Sequence, residues 1–119
     1  MKFTEEHVWM RMEDDLVVIG MTEQGLADLG DIIFVDLPEE GDMVVADDPC
    51  VVIEGEEATA EMLAPLSGEI VEVNTPLTDN PALIGDDPMG NGWLIKIAAE
   101  DAEQMDDHLD EAEYKRLVG

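Results

Sequence analysis

Positive charge is scarce in this chain: five lysines and arginines stand against thirty-one aspartates and glutamates, for a formal net charge of −26 at pH 7. A small domain ordinarily carries a net charge of magnitude about 2–8. The five cations, Lys2, Arg11, Lys96, Lys115 and Arg116, are too few and too scattered to track a phosphate backbone. Nucleic acid and anionic membrane are therefore excluded as partners. Self-repulsion on this scale weakens the compact state in dilute buffer. Salt shortens the screening length from about 10 Å at 0.1 M to about 3 Å at 1 M. A protein that folds best in salt is expected, as in a salty cytoplasm.

Cysteine is nearly absent. Cys50 alone excludes an internal disulfide and is compatible with a reducing compartment. Beside Pro49 in a β-prone run, it reads as a small core residue rather than a nucleophile. No apolar run approaches the ~20 residues that span a bilayer. Residues 1–7 lack the apolar segment of a secretory signal, so a cytoplasmic location is expected. The two histidines, His7 and His108, lie far apart in sequence, and no loop follows an EF-hand or phosphate-cradling pattern. No catalytic residues and no metal ligands emerge, and the chain does not read as an enzyme.

What is present is a globular chain with a β pattern. Hydrophobic residues make up 45% of 119 positions, enough for one domain over residues 1–119 with a core of its own. A first strand is expected over Phe3–Met12, and a second over Leu16–Met21 after the turn Glu13-Asp14-Asp15. Thr22 is placed to cap a short helix that Gly30 ends. An internal repeat follows. Gly30-Asp31-Ile32-Ile33-Phe34-Val35-Asp36-Leu37-Pro38 returns 38 residues later as Gly68-Glu69-Ile70-Val71-Glu72-Val73-Asn74-Thr75-Pro76, and Asp47-Asp48-Pro49 is echoed by Asp86-Asp87-Pro88. Two matching β halves predict a small sandwich or flattened barrel with a pseudo-twofold relation.

Between the halves, Val51–Glu54 and Thr59–Leu63 flank an acidic segment with Gly55, which predicts a β-hairpin with a solvated tip. A brief helix capped by Asn80 is expected over residues 80–84, then a closing strand over Gly92–Ile97 with Trp93, Ile95 and Ile97 facing inward. In a helical tail, Ala102, Met105 and Leu109 are spaced three and four apart. Asp110 with Glu113 makes a capping box for a last segment that Tyr114, Leu117 and Val118 dock.

Several blocks, in order, resemble the glycine cleavage system H proteins and their lipoyl-carrier relatives. They are Glu6-His7-Val8-Trp9, Gly20-Met21-Thr22-Glu23, Leu29 to Pro38 followed by Gly41, Ala64 to Ile70, and Gly92 to Ile97. The resemblance implies a mainly β fold, a small capped β barrel-sandwich of two pseudo-symmetric halves with short helices. It implies a non-enzymatic carrier whose hairpin-tip lysine bears amide-linked lipoate, a swinging arm that visits partner enzymes. Lipoate ligase or other attachment enzymes, dihydrolipoamide dehydrogenase and the oxidoreductases of a glycine-cleavage or sulfur-oxidation complex would be its partners, and the carrier itself is expected to be a monomer.

The family's hairpin pattern aligns with Glu54, Ala58 and Glu61, which places Glu57 at the lipoyl-attachment position. Glu54, Gly55, Glu56, Ala58 and Glu61 would form the surface that an attachment enzyme recognises. A carboxylate cannot accept the arm, so no lipoate is expected on this chain, although a lysine-bearing parent would carry it at position 57. His7, Val8 and Asp28 match positions that contact the arm. Val8 stands where glycine-cleavage members commonly have a Glu that holds the aminomethyl-loaded arm, and Asp28 stands where some members have a His. These departures favour the divergent lipoate-binding proteins of sulfur oxidation over a glycine-cleavage H protein that shuttles an aminomethyl group. Three readings follow: a lysine-to-glutamate variant of a working carrier, a natural non-lipoylated relative that still binds partners, or an interaction module with the fold alone.

Overall fold

The computed structural model describes residues 2–101, 103, 105 and 108–118. Its strands are β1 (Lys2–Phe3), β2 (Val8–Glu13), β3 (Leu16–Met21), β4 (Ile32–Asp36), β5 (Met43–Val44), β6 (Pro49–Gly55), β7 (Thr59–Leu63), β8 (Gly68–Val73) and β9 (Ile95–Ala99). The helices are α1 (Glu23–Ala27), α2 (Pro76–Asp79), α3 (Leu83–Asp86) and α4 (Glu111–Val118). The strands form a six-stranded sheet in the order β1-β2-β3-β9-β8-β5 and a three-stranded sheet in the order β4-β6-β7. All neighbours are antiparallel. This is the mainly β sandwich expected from the repeat.

The expected first strand is broken in two. His7 adopts φ 69°, which reverses the chain so that β1 folds back on β2 and Phe3 pairs with Trp9. The β2–β3 hairpin then turns through Asp14 (φ 51°) and Asp15 (φ 67°), with Glu13 paired to Leu16. Positive φ at both central residues is the turn whose twist matches the flanking strands, and aspartate tolerates it. Thr22 caps α1, its hydroxyl accepting from the Gly25 N–H at 3.3 Å. Gly30 follows in the left-handed region at φ 77° and sends the chain into β4.

The repeat is visible down to its irregularities. β4 pairs with β6, and the register slips between Ile32 and Phe34. β8 pairs with β9, and the register slips between Ile70 and Glu72. The bulged residues, Ile33 and Val71, are therefore 38 positions apart, the spacing of the repeat, and both side chains are exposed. Bulges bend a strand and increase its local twist. Two at equivalent places curve both sheets around one core, which holds Val35 and Ile53 from one sheet and Ile19, Ile70, Ile95 and Ile97 from the other.

Three local expectations are corrected. Asn80 does not cap a helix N-terminus: it is the C-cap of α2, and α3 starts after Ala82 without a side-chain cap. Pro76 explains the shift, because proline fits the first helical turn and pulls the helix start back to residue 76. The closing strand begins at Ile95 rather than Gly92. The buried Asn74 amide donates to the carbonyls of Asn91 and Trp93, both at 2.8 Å, and withholds that segment from the ladder. Trp93 consequently packs in the second apolar cluster with Phe3, Trp9, Val18 and Tyr114, while Ile95 and Ile97 face the main core.

That second cluster lies beneath α4. Asp110 and Glu113 form the reciprocal capping box, with the Glu113 N–H donating to Asp110 Oδ1 at 2.8 Å and the Asp110 N–H to Glu113 Oε1 at 3.2 Å. Tyr114 stacks on Phe3 with ring centroids 4.6 Å apart. Val118 is half-buried there, whereas Leu117 is exposed and does not dock. Met105 is buried in the main core and Ala102 lies outside the described residues, but Leu109 leaves the expected helical stripe: its backbone bridges Phe3 with two hydrogen bonds of 2.8 Å and its side chain packs on the second cluster. No helix among the described residues is long and apolar enough to cross a membrane.

Candidate functional site

The acidic hairpin sits where β6 passes into β7. Glu54 pairs with Thr59, and the Gly55 N–H donates to the Ala58 carbonyl at 2.9 Å, leaving Glu56 and Glu57 as the two loop residues. Neither has positive φ, in contrast to Asp14 and Asp15 in the β2–β3 turn. The loop amides bond to a third segment instead. The Glu56 N–H donates to the Asp31 carbonyl and the Glu57 N–H to the Leu29 carbonyl, each at 2.9 Å. The expected solvated tip is thus solvated in its side chains and fastened through its backbone.

Two glycines make that approach feasible. A Cβ on Gly55 would run into the carbonyl oxygen of Leu29. A Cβ on Gly30 would lie 3.0 Å from Cγ of Glu57, so the Glu57 side chain leaves the turn across the open face of Gly30. The side chains of Glu54, Glu56, Glu57, Ala58 and Glu61 are exposed, and Gly55 is half-buried. No ion pair within 4.0 Å joins any of these acids to a cation among the described residues; the ion pairs there involve Arg11, Lys96 and Lys115 with Glu13, Glu72 and Glu111.

The three candidate arm-contact positions occupy different surroundings. Asp28 is exposed and forms the C-cap of α1, next to the Leu29 carbonyl that holds the tip. Val8 is 1% exposed and belongs to the main core, opposite Met21 in β2–β3. His7 is half-buried, and its Nδ1 lies 2.7 Å from the Tyr114 hydroxyl, which is also 2.7 Å from Thr22 Oγ1. The His7 carbonyl accepts from the Thr22 N–H at 2.9 Å. One hydroxyl of the tail helix therefore joins the β1–β2 turn to the cap of α1, whose far end carries the loop that holds Glu57.

Sequence reasoning singled out the tip but missed its support. Leu29, Gly30 and Asp31 had a signal, since they open the block from Leu29 to Pro38 that resembles the H proteins. Tyr114 had none beyond its place in an apolar stripe. A cleft of ≈ 570 Å³ between α1 and α3 is lined by Gly30 together with Leu26, Ala27, Ile32, Ala82 and Gly85 and the acids Glu23, Asp31 and Asp86. No group of three or more His, Cys, Asp or Glu residues that could hold a metal ion occurs among the described residues.

The family description Glycine cleavage H-protein matches residues 1–119. The chain belongs to that family. It is 44% identical over 119 residues to the glycine cleavage system H protein of Escherichia coli O7:K1, covering 99% of this chain and 92% of the relative. Against the glycine cleavage system H protein of Halalkalibacterium halodurans, the identity is 42% over 118 residues, covering 99% of this chain and 92% of the relative. The crystal structure of the glycine cleavage system H protein from Mycobacterium marinum superposes with a TM-score of 0.91 at 35% identity, covering 99% of this chain and 95% of that one. The lipoyl-carrier family and its barrel-sandwich fold, expected from the sequence blocks, are thereby established for this H-protein-family chain.

Proposed function

We propose that the chain is a carrier-type protein, not a catalyst, whose hairpin presents position 57 to attachment and partner enzymes in a form that cannot be lipoylated. The carrying observation is Glu57 itself, seated between Glu54, Ala58 and Glu61 in a complete hairpin. Attachment requires an amine nitrogen to attack the acyl carbon of activated lipoate, with the activating group leaving and a proton passing to water. Glutamate offers only a carboxylate, and its product would be an anhydride that water cleaves. The residues present do not fit lipoate, and Lys96, in β9 beside Glu13 and Glu72, is no substitute.

The hairpin's intact geometry supports a lysine-bearing parent over an interaction module with the fold alone. Restoring the amine tests this reading. Glu57→Lys, incubated with lipoate, ATP and a lipoate ligase, gains one lipoyl group in intact-protein mass spectrometry, while the unaltered chain gains none. No gain on Glu57→Lys would sink the proposal.

A second reading concerns the pathway, and Val8 favours it. Its buried isopropyl group cannot pair with the amine of an aminomethyl-loaded arm. That supports service to sulfur-oxidation enzymes in the cytoplasm over glycine cleavage. Offered to both partner sets, the loaded Glu57→Lys protein turns over with the sulfur-oxidation set; turnover with the glycine-cleavage set alone would overturn it.

A further inference from the structure

We propose that Gly55 is a positioning residue, and that the Leu29–Asp31 loop is a clamp holding the hairpin tip in one posture whatever side chain stands at position 57. This deepens the carrier reading and rests on it for its purpose, but the clamp is a statement about the backbone.

Four observations converge. First, a two-residue hairpin loop ordinarily takes positive φ at one or both central residues, and other turns splay the strands. This protein uses the favoured turn at Asp14-Asp15 and not at Glu56-Glu57. Something outside the hairpin must hold the tip. Second, the N–H groups of both loop residues are taken by carbonyls of another segment, Asp31 and Leu29, at 2.9 Å each. These bonds continue the β4–β6 pairing beyond Ile32–Gly55 and onto the turn. Third, only a residue without a side chain allows β6 to pass the Leu29 carbonyl at Gly55. The obstacle there is backbone, so no rotamer change relieves it. Fourth, Gly30 at φ 77° leaves room for the Cγ methylene of residue 57.

Glutamate and lysine share that methylene and diverge from Cδ onward, a carboxylate carbon in one and a further methylene in the other. The contact with Gly30 and both backbone bonds are therefore available to either residue. The clamp also opposes electrostatics, because Glu54, Glu56 and Glu57 at the turn and Asp31, whose carbonyl holds Glu56, all carry the same sign. An attachment enzyme or partner would thus meet a preset turn rather than a mobile loop, with less ordering entropy lost on binding.

The first test is amide hydrogen exchange by NMR on the unaltered chain. Glu56 and Glu57, although exposed in their side chains, exchange at least about tenfold slower than unstructured amides, the factor that roughly one net hydrogen bond supplies. Exchange at the unstructured rate would overturn the clamp. Gly55→Ala should abolish that protection while the β2–β3 amides stay protected. In the Glu57→Lys background it should slow ligase-catalysed attachment about tenfold. A Gly55→Ala protein with unchanged tip protection and unchanged attachment would also overturn the proposal. Should Gly55→Ala fail to fold, the exchange rates of the unaltered chain decide the matter. Protected tip amides with no attachment to Glu57→Lys would instead uphold the clamp and sink the carrier reading.

Discussion

The Glu57 N–H donates to the Leu29 carbonyl oxygen over 2.9 Å, so the most exposed turn of the hairpin is tied to the loop that follows α1. The same loop ends a helix capped by Thr22, and Thr22 shares the Tyr114 hydroxyl with His7. The tip is thereby linked through α1 to the C-terminal helix.

Tyr114→Phe keeps the ring stack on Phe3 and removes only the bridging hydroxyl. Tyr114 is 6% and Thr22 3% exposed, so Thr22 Oγ1 loses a partner that water cannot readily replace. Loss of stability is expected at about 1–3 kcal/mol, the usual consequence of leaving buried polar groups unpaired. Leu117→Ala on the exposed side of the same helix should change stability by no more than about 0.5 kcal/mol. Urea unfolding of the two variants checks the contrast, and equal effects would remove Tyr114 from the link.

Cys50 gives a pH dependence with a definite sign. Burial pushes its thiol up from 9.0 to about 12, with a backbone hydrogen bond from Val51 pulling slightly the other way. The folded pKa is raised, so this contribution is complete below the unfolded value and is lost as pH rises from 9.0 toward about 12. Unfolding titrations of the chain and of Cys50→Ala should diverge only in that window. At pH 8 the folded protein should react with iodoacetamide far more slowly than the urea-unfolded protein. Equal rates would contradict the burial account.

The charge of −26 predicts a strong salt response. Raising NaCl from 0.1 M to 1 M should lift the melting temperature by on the order of 5 °C, about 1 kcal/mol for a domain of this size. Glu57→Lys replaces one of several crowded acids with a cation, and should be the more stable form at low salt, with the gap closing at high salt. A flat response in both proteins would show that self-repulsion is not a controlling term.

Most of the fold was legible because its signals are local or repeated. The strand pattern, the Thr22 cap, the turn at Gly30 and the Asp110–Glu113 box are each set by a few neighbouring residues. The 38-residue repeat went further, since its two copies share even the position of the bulge at Ile33 and Val71. What was not legible depends on distant partners. Nothing near Trp93 in sequence says that Asn74 will hold its carbonyl, and nothing near Glu57 says that Leu29 will hold its amide. His7 breaking the first strand is likewise a matter of one left-handed residue in an otherwise β-prone run. For the proposed attachment site, the sequence pattern located the hairpin turn that holds Glu57, while the hold of the Leu29–Asp31 loop on that turn depends on the packing of β6 against the α1–β4 segment.

Whether Glu57 occupies an acceptor position is decided most directly by the intact mass of the chain and of Glu57→Lys after incubation with lipoate, ATP and lipoate ligase. A single lipoyl group is expected on the lysine variant and none on the unaltered chain. An unmodified Glu57→Lys protein, or lipoate on the chain that bears Glu57, would contradict it.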